Sequence, residues 1–98
     1  MSKNKRFGDL GFKFDDVNDW VGFDQLVGKE INILDYLKVK GEYGYYCIIK
    51  YVIEGEGAVM ATTTGGKVIM EKLDMAKEQE LLPMVGEVIK EKRWYDIR

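Results

Sequence analysis

Between Glu30 and Thr63 the chain alternates side chains in period two and breaks that pattern only at glycine clusters. Such a pattern suits a pleated strand, whose successive side chains point to opposite faces, and no helix can accommodate it. The first run, Glu30 to Lys40, places Ile31 and Ile33 on one face and Asn32 and Leu34 on the other. The segment Gly41-Glu42-Tyr43-Gly44 then breaks it, and paired glycines of this kind mark a turn. A second run, Tyr45 to Glu54, is rich in β-branched and aromatic residues and leads into Gly55-Glu56-Gly57, with a third strand from Ala58 to Thr63. Consecutive strands separated by short glycine turns predict an antiparallel meander.

From Lys67 the period changes. Ile69, Leu73 and Ala76 recur at i, i+4 and i+7, with Glu71, Lys72, Lys77 and Glu78 between them, the signature of one amphipathic helix. The helix must stop before Pro83, the only proline, because proline lacks the amide hydrogen and disfavours helix in the residue before it. Thr64 or Gly66 serves as its N-cap. Met84 to Lys90 and Arg93 to Arg98 then read as two more strands about a charged turn at Glu91 and Lys92. Residues 1–22 form an extension in which Phe7, Phe12, Phe14 and Trp20 mix with aspartates without a clear period, and residues 23–98 form the domain. Some aromatic residues of the extension are expected to pack on the domain or on a sister subunit, and a homo-oligomer is the expected state.

Several kinds of chemistry are poorly served by this chain. It contains no histidine and a single cysteine, Cys47, so the usual zinc sets, histidine-activated nucleophiles and an internal disulfide cannot be assembled. Cys47 lies in an apolar run, where a buried, inert thiol is expected. The aspartates of 15–19 lack the Asp-x-Asx-x-Asx-Gly spacing of a calcium loop, and Thr62-Thr63-Thr64-Gly65-Gly66-Lys67-Val68 lacks the Walker spacing. No cofactor or metal is therefore expected, nor nucleotide hydrolysis. No stretch of about 18 apolar residues suggests a membrane span, and the expected location is the cytoplasm. Lys and Arg total 15 against 17 Asp and Glu, a net charge of −2, so any polyanion site must be a local basic patch rather than a bulk field.

The predicted order of three strands, a helix and two strands, in fewer than 100 residues, is similar to that of the oligonucleotide/oligosaccharide-binding (OB) fold. More closely, the chain from Phe23 onward resembles small phage single-stranded DNA-binding proteins of Gram-positive hosts. The resemblance rests on Phe23-Asp24-Gln25-Leu26-Val27-Gly28-Lys29-Glu30-Ile31, on Tyr46-Cys47-Ile48-Ile49-Lys50 with Gly55-Glu56, and on Thr64-Gly65-Gly66-Lys67-Val68-Ile69. Leu82-Pro83 and Trp94-Tyr95 complete it. It implies an all-β protein, a five-stranded Greek-key barrel with one α-helix between strands three and four. It also implies non-enzymatic binding of single-stranded DNA in phage replication or recombination, with RNA as the alternative ligand. The chain departs from bacterial single-stranded DNA-binding proteins in ending at Ile97-Arg98 without an acidic tail, so recruitment of partners through such a tail is not expected.

A general single-strand binder needs flat rings for bases and cations for phosphates, and OB-folds present them on strands two and three and on two loops. The residues of those types are Lys38, Lys40, Tyr43 and Tyr45 around the first loop, and Lys90, Lys92, Arg93 and Trp94 around the last. Alternation on the second strand separates Tyr46, Ile48, Lys50 and Val52 from Cys47, Ile49, Tyr51 and Ile53, and the lysine marks the first set as outward. Tyr46 and Lys50 join the candidate site on that ground. On the last strand the same reasoning puts Trp94 and Asp96 outward and Tyr95 and Ile97 inward. Two rival readings stand beside this one. In the first, net acidity fits a protein-interaction module on the same barrel; in the second, carboxylates such as Asp35 and Glu56 act as a general acid and base.

Overall fold

The computed structural model describes residues 16–98. Expectations about the basic start, Phe7, Asp9, Phe12, Phe14 and Asp15 lie outside the described residues. The described elements are β1 (Asp19–Trp20), a 3-10 turn at Phe23–Leu26, β2 (Glu30–Gly41), β3 (Gly44–Val52) and β4 (Met60–Thr64), then α1 (Lys67–Glu78), β5 (Met84–Lys90) and β6 (Tyr95–Ile97). Glycine punctuation and the change of period thus place every main element. The ends move slightly: β3 stops at Val52, β4 starts at Met60 and β6 contracts to Tyr95–Ile97.

Six strands form one sheet in the order β1-β4-β3-β2-β5-β6. β2, β3 and β4 make the antiparallel meander, β5 pairs antiparallel with the first third of β2, and β6 pairs with β5. The expected closure of five strands into a barrel does not occur, and the sheet is open. The edge of β4 is taken by β1, which runs parallel to it with Asp19 opposite Met60 and Trp20 opposite Ala61. Backbone bonds from Asn18 N–H to Val59 O (2.7 Å) and Val21 N–H to Ala61 O (2.9 Å) extend that pairing. An edge strand leaves a row of unpaired amides and carbonyls; here the chain just before the 3-10 turn satisfies them on β4.

The alternation of β2 is reset by a β-bulge between Ile33 and Asp35. An extra residue in one strand inverts the faces of everything after it. Ile31 and Ile33 point into the core, and beyond the bulge it is Tyr36, an even-numbered residue, that does so. Leu37 and Val39 are consequently turned to the opposite face, where they meet Ile48 and Tyr46 in a second small apolar cluster. The main core lies between the sheet and α1: Ile31, Ile33, Cys47, Ile49 and Tyr51 meet Ile69, Met70 and Leu73 of the helix. The inward set expected on β3 is the one observed.

The helix starts without a side-chain cap at its N-cap, Gly66; instead Gly66 N–H donates to Thr64 Oγ1 at 3.2 Å. Its inward face holds Ile69, Met70, Leu73 and Ala76, and it ends at Glu78, well ahead of Pro83. Two side chains tie it to β2. Tyr36 OH donates to Asp74 Oδ1, and Lys77 Nζ donates to the Tyr36 carbonyl at 3.1 Å while lying 3.2 Å from Asp35 Oδ1. Among the described residues no helix is long and apolar enough to cross a membrane.

Candidate nucleic-acid interface

Beyond the bulge, Lys38 and Lys40 of β2 stand opposite Cys47 and Tyr45 of β3, so both lysines share the helix-facing side of the sheet with Tyr45. The two strands converge on Gly41 and Gly44, and Gly44 takes φ +124°, a left-handed conformation that a side chain would strain. Tyr43 is thereby held at the tip of the hairpin with 96% of its surface exposed, and Tyr45 is 58% exposed. An isolated aromatic on a surface needs no explanation, but two on one hairpin tip beside cations are the residue types that single-strand binders use for bases and phosphates.

The hairpin end and the first half of α1 enclose a groove of about 540 Å³. Lys38, Tyr43 and Tyr45 line one wall, and Lys67, Glu71 and Asp74 line the other. Lys38 braces the two walls: its ammonium is 2.7 Å from Asp74 Oδ2 and 5.8 Å from the centre of the Tyr45 ring. Both oxygens of Asp74 are therefore occupied, one by Tyr36 OH and the other by Lys38. Lys40, Lys67 and Glu71 are exposed, and none of them makes an ion pair among the described residues.

The second loop lies elsewhere. Glu91 N–H donates to Trp94 O at 2.7 Å and closes a turn that presents Lys92, Arg93 and a half-exposed Trp94. Lys90 leans over the ring of Tyr95 at 5.6 Å, and Tyr95 packs edge-on against Phe23 with centroids 5.2 Å apart. The register separates this turn from the hairpin tip. β5 pairs Met84 with Ile33 and Glu87 with Glu30, then runs on past the start of β2, whereas the tip extends from the other end of β2 at Gly41. The two clusters therefore sit at opposite ends of β2 rather than along one continuous strip.

Three residues expected to be exposed are covered instead. Lys50 is buried rather than exposed: it is 8% exposed and its ammonium lies 2.8 Å from Asp16. Its strand position faces away from the core, as alternation requires, but that face is itself covered. Tyr46 lies on the same far side of the sheet, half-buried against Leu37, Val39 and Ile48, and so does not join Tyr43 and Tyr45 in the groove. Its ring lies over Gly41, where a Cβ would come within 3.1 Å of it and push it aside by a few tenths of an ångström. Asp96 is buried rather than outward, its carboxylate accepting from Lys72 Nζ at 2.7 Å and from Ile97 N–H at 2.7 Å. The hydrogen bond from Lys72 is the main cause that holds this carboxyl below the usual aspartate range, against a smaller opposing effect of burial. Tyr95 and Ile97 pack against the core as alternation predicts.

Sequence reasoning missed Lys67, considered only in the glycine segment that lacks the Walker spacing, and Glu71, which helical periodicity assigned only to the outside of α1. The Gly65-Gly66 pair just before the helix was the available signal, since a chain without side chains there lets the hairpin end and the helix face each other across an open space.

Cys47 is fully buried, and burial pushes its thiol up to about 12. Of the carboxylates considered for acid-base work, Asp35 is paired with Lys77, and Glu56 is exposed on the β3–β4 turn. Among the described residues no group of three His, Cys, Asp or Glu side chains could hold a metal ion. A second pocket, apolar and of about 260 Å³, lies between the end of α1 and the start of β5, where Met75, Leu81, Met84 and Val85 are exposed. No family model matches the chain, and neither a curated protein nor a solved structure matches it.

Proposed function

We propose that this protein binds single-stranded DNA without performing covalent chemistry, and that the groove between the β2–β3 hairpin and α1 is where the strand lies. The observation that carries the reading is the pair of exposed rings, Tyr43 and Tyr45, beside Lys38 and Lys67 in the groove and with Lys40 opposite Tyr45 on β2. Bases stack on such rings for about 1 to 3 kcal/mol each, whatever their identity, and lysines replace the counterions of the phosphates. The strand order supports an OB-type reading: a three-stranded meander, a helix, a strand on the free edge of the first meander strand and a last strand beyond it. In that reading β1 occupies the edge through which the barrel would otherwise close. The resemblance of the chain from Phe23 onward to small phage single-stranded DNA-binding proteins points the same way, and with it to work in phage replication or recombination.

The turn Glu91–Trp94 becomes a secondary contact, reached only by a strand long enough to travel the length of β2. From Glu30 to Gly41 that is at most roughly 36 Å for a straight strand at about 3.3 Å per residue.

A second reading, a protein-interaction module, is favoured by the exposed apolar side chains Met75, Leu81, Met84 and Val85. A titration of labelled oligothymidylate with the full chain at several salt concentrations separates the two readings. Binding that weakens steeply as salt rises is the expected result. No binding at low salt would leave the interaction module as the better account.

A further inference from the structure

Glu71 is out of place in a site for a polyanion. It lines the groove on the helix wall, one turn after Lys67, facing the hairpin that bears Tyr43 and Tyr45. A carboxylate there repels phosphate, so it weakens general binding unless a ligand brings hydrogen-bond donors to it. The neighbouring carboxylate cannot take that part: Asp74 is engaged through both oxygens by Tyr36 and Lys38. Glu71 is exposed and makes no ion pair among the described residues, even with Lys67 four residues before it.

We infer that the groove takes an unpaired guanine, stacked on the hairpin tyrosines, with Glu71 accepting hydrogen bonds from its Watson–Crick edge. This rests on the single-strand-binding reading above. An ionised carboxylate offers two acceptor oxygens side by side and no donor. Guanine presents two adjacent donors, N1–H and the N2 amine, which match that pair in a bidentate, charge-assisted arrangement. Cytosine and adenine each offer one exocyclic amine next to a ring nitrogen that is an acceptor and faces the carboxylate unfavourably. Thymine offers one N3–H between two carbonyl oxygens. Single-stranded ligands expose these edges, which duplexes hide. The phosphates on either side of the base would then lie toward Lys38, Lys40 and Lys67, away from the acid.

The test compares oligothymidylate of about 15 nucleotides with the same strand carrying one central guanine, cytosine or adenine, and with one carrying hypoxanthine, which lacks the N2 amine. The full chain should bind the guanine strand about tenfold tighter than oligothymidylate, with hypoxanthine between them and cytosine and adenine near thymine. In Glu71→Gln the guanine advantage should collapse to under about twofold while affinity for oligothymidylate rises, because a negative charge has left the groove. Glu54→Gln, a change in an exposed acid after β3, should keep the full preference. Circular dichroism of each variant establishes that it is folded. Equal affinity for the guanine and thymine strands overturns guanine recognition and leaves single-strand binding standing. A guanine preference that survives in folded Glu71→Gln overturns the role of Glu71. Absence of binding to every strand overturns this inference together with the function it rests on.

Discussion

Gly86→Ala probes how tightly β6 seals the end of the sheet. Gly86 is buried opposite Ile31 and faces Ile97 of β6. A Cβ built on it falls closer than 3.0 Å to Ile97 Cγ2, whereas ordinary contacts begin near 3.4 Å. That methyl is on a β-branched carbon, not at the end of a flexible chain, so relief takes a change of the Ile97 χ1 rotamer or a shift of the β6 backbone. The backbone is held there by Glu87 N–H to Arg98 O at 2.7 Å and Arg98 N–H to Glu87 O at 3.0 Å. Overpacking of this kind costs about 1 to 3 kcal/mol. Loss of glycine freedom in the unfolded chain offsets about 0.4 to 1 kcal/mol of it, leaving a net destabilisation of about 1 to 2 kcal/mol. For a domain of this size that corresponds to a fall in Tm of roughly 5 to 15 °C. Urea unfolding followed by tryptophan fluorescence measures it. Gly65→Ala is the control, because its nearest atom would be 3.9 Å away and its φ is not positive; it should be neutral or slightly stabilising. In the double variant Gly86→Ala with Ile97→Ala, the losses should sum to less than the two single values, since the offending methyl is gone. A Gly86→Ala protein as stable as the parent, or strict additivity in the double variant, would refute the packing of β6 over β5.

Other expectations follow from individual side chains. Thr62 Oγ1 is buried and has no hydrogen-bond partner among the described residues, so Thr62→Val, which keeps the shape, should stabilise the fold by about 1 kcal/mol in the same urea assay. The carboxyl of Asp96 is held below its usual range in the folded state, chiefly by Lys72. Its contribution to stability is therefore complete above the unfolded aspartate value of about 4 and is lost as pH falls through the lower, folded value. Asp96→Asn should be less stable at neutral pH, and its stability should fall less steeply than that of the parent in acid. The Cys47 thiol, raised to about 12, should react negligibly with a thiol reagent at about pH 8 in the native protein and promptly in urea, because the thiolate is the reactive form.

How much the sequence disclosed depended on whether a feature was local. Glycine turns, the shift from period two to the spacing of Ile69, Leu73 and Ala76, and Pro83 are local, and they placed the elements nearly as observed. Parity along β3 correctly sent Cys47, Ile49 and Tyr51 inward. What failed was the assumption that a polar residue faces water. Lys50 and Asp96 are both buried because a partner from elsewhere in the chain, Asp16 for one and Lys72 for the other, neutralises them, and pairing across 34 and 24 residues leaves no local mark. The bulge at Ile33/Asp35 was legible in principle: inward apolar residues spaced by two, at Ile31 and Ile33, are followed by one at a spacing of three, Tyr36. Missing it hid the fact that Lys38 and Lys40 share a side with α1. Closure is a property of edges, and nothing in the alternation of β4 announces that Asp19–Trp20 will pair with it.

The most direct test of the central claim compares the full chain with Tyr43→Ala/Tyr45→Ala in titrations of oligothymidylate, plotting the logarithm of affinity against that of salt concentration. Both rings are exposed and contribute little to the core, so the variant should unfold at the same urea concentration. Its affinity should fall by at least about tenfold at every salt concentration while the slope, set by the lysines, stays the same. Equal affinity in the folded variant and its parent would contradict the placement of the strand on the hairpin tip.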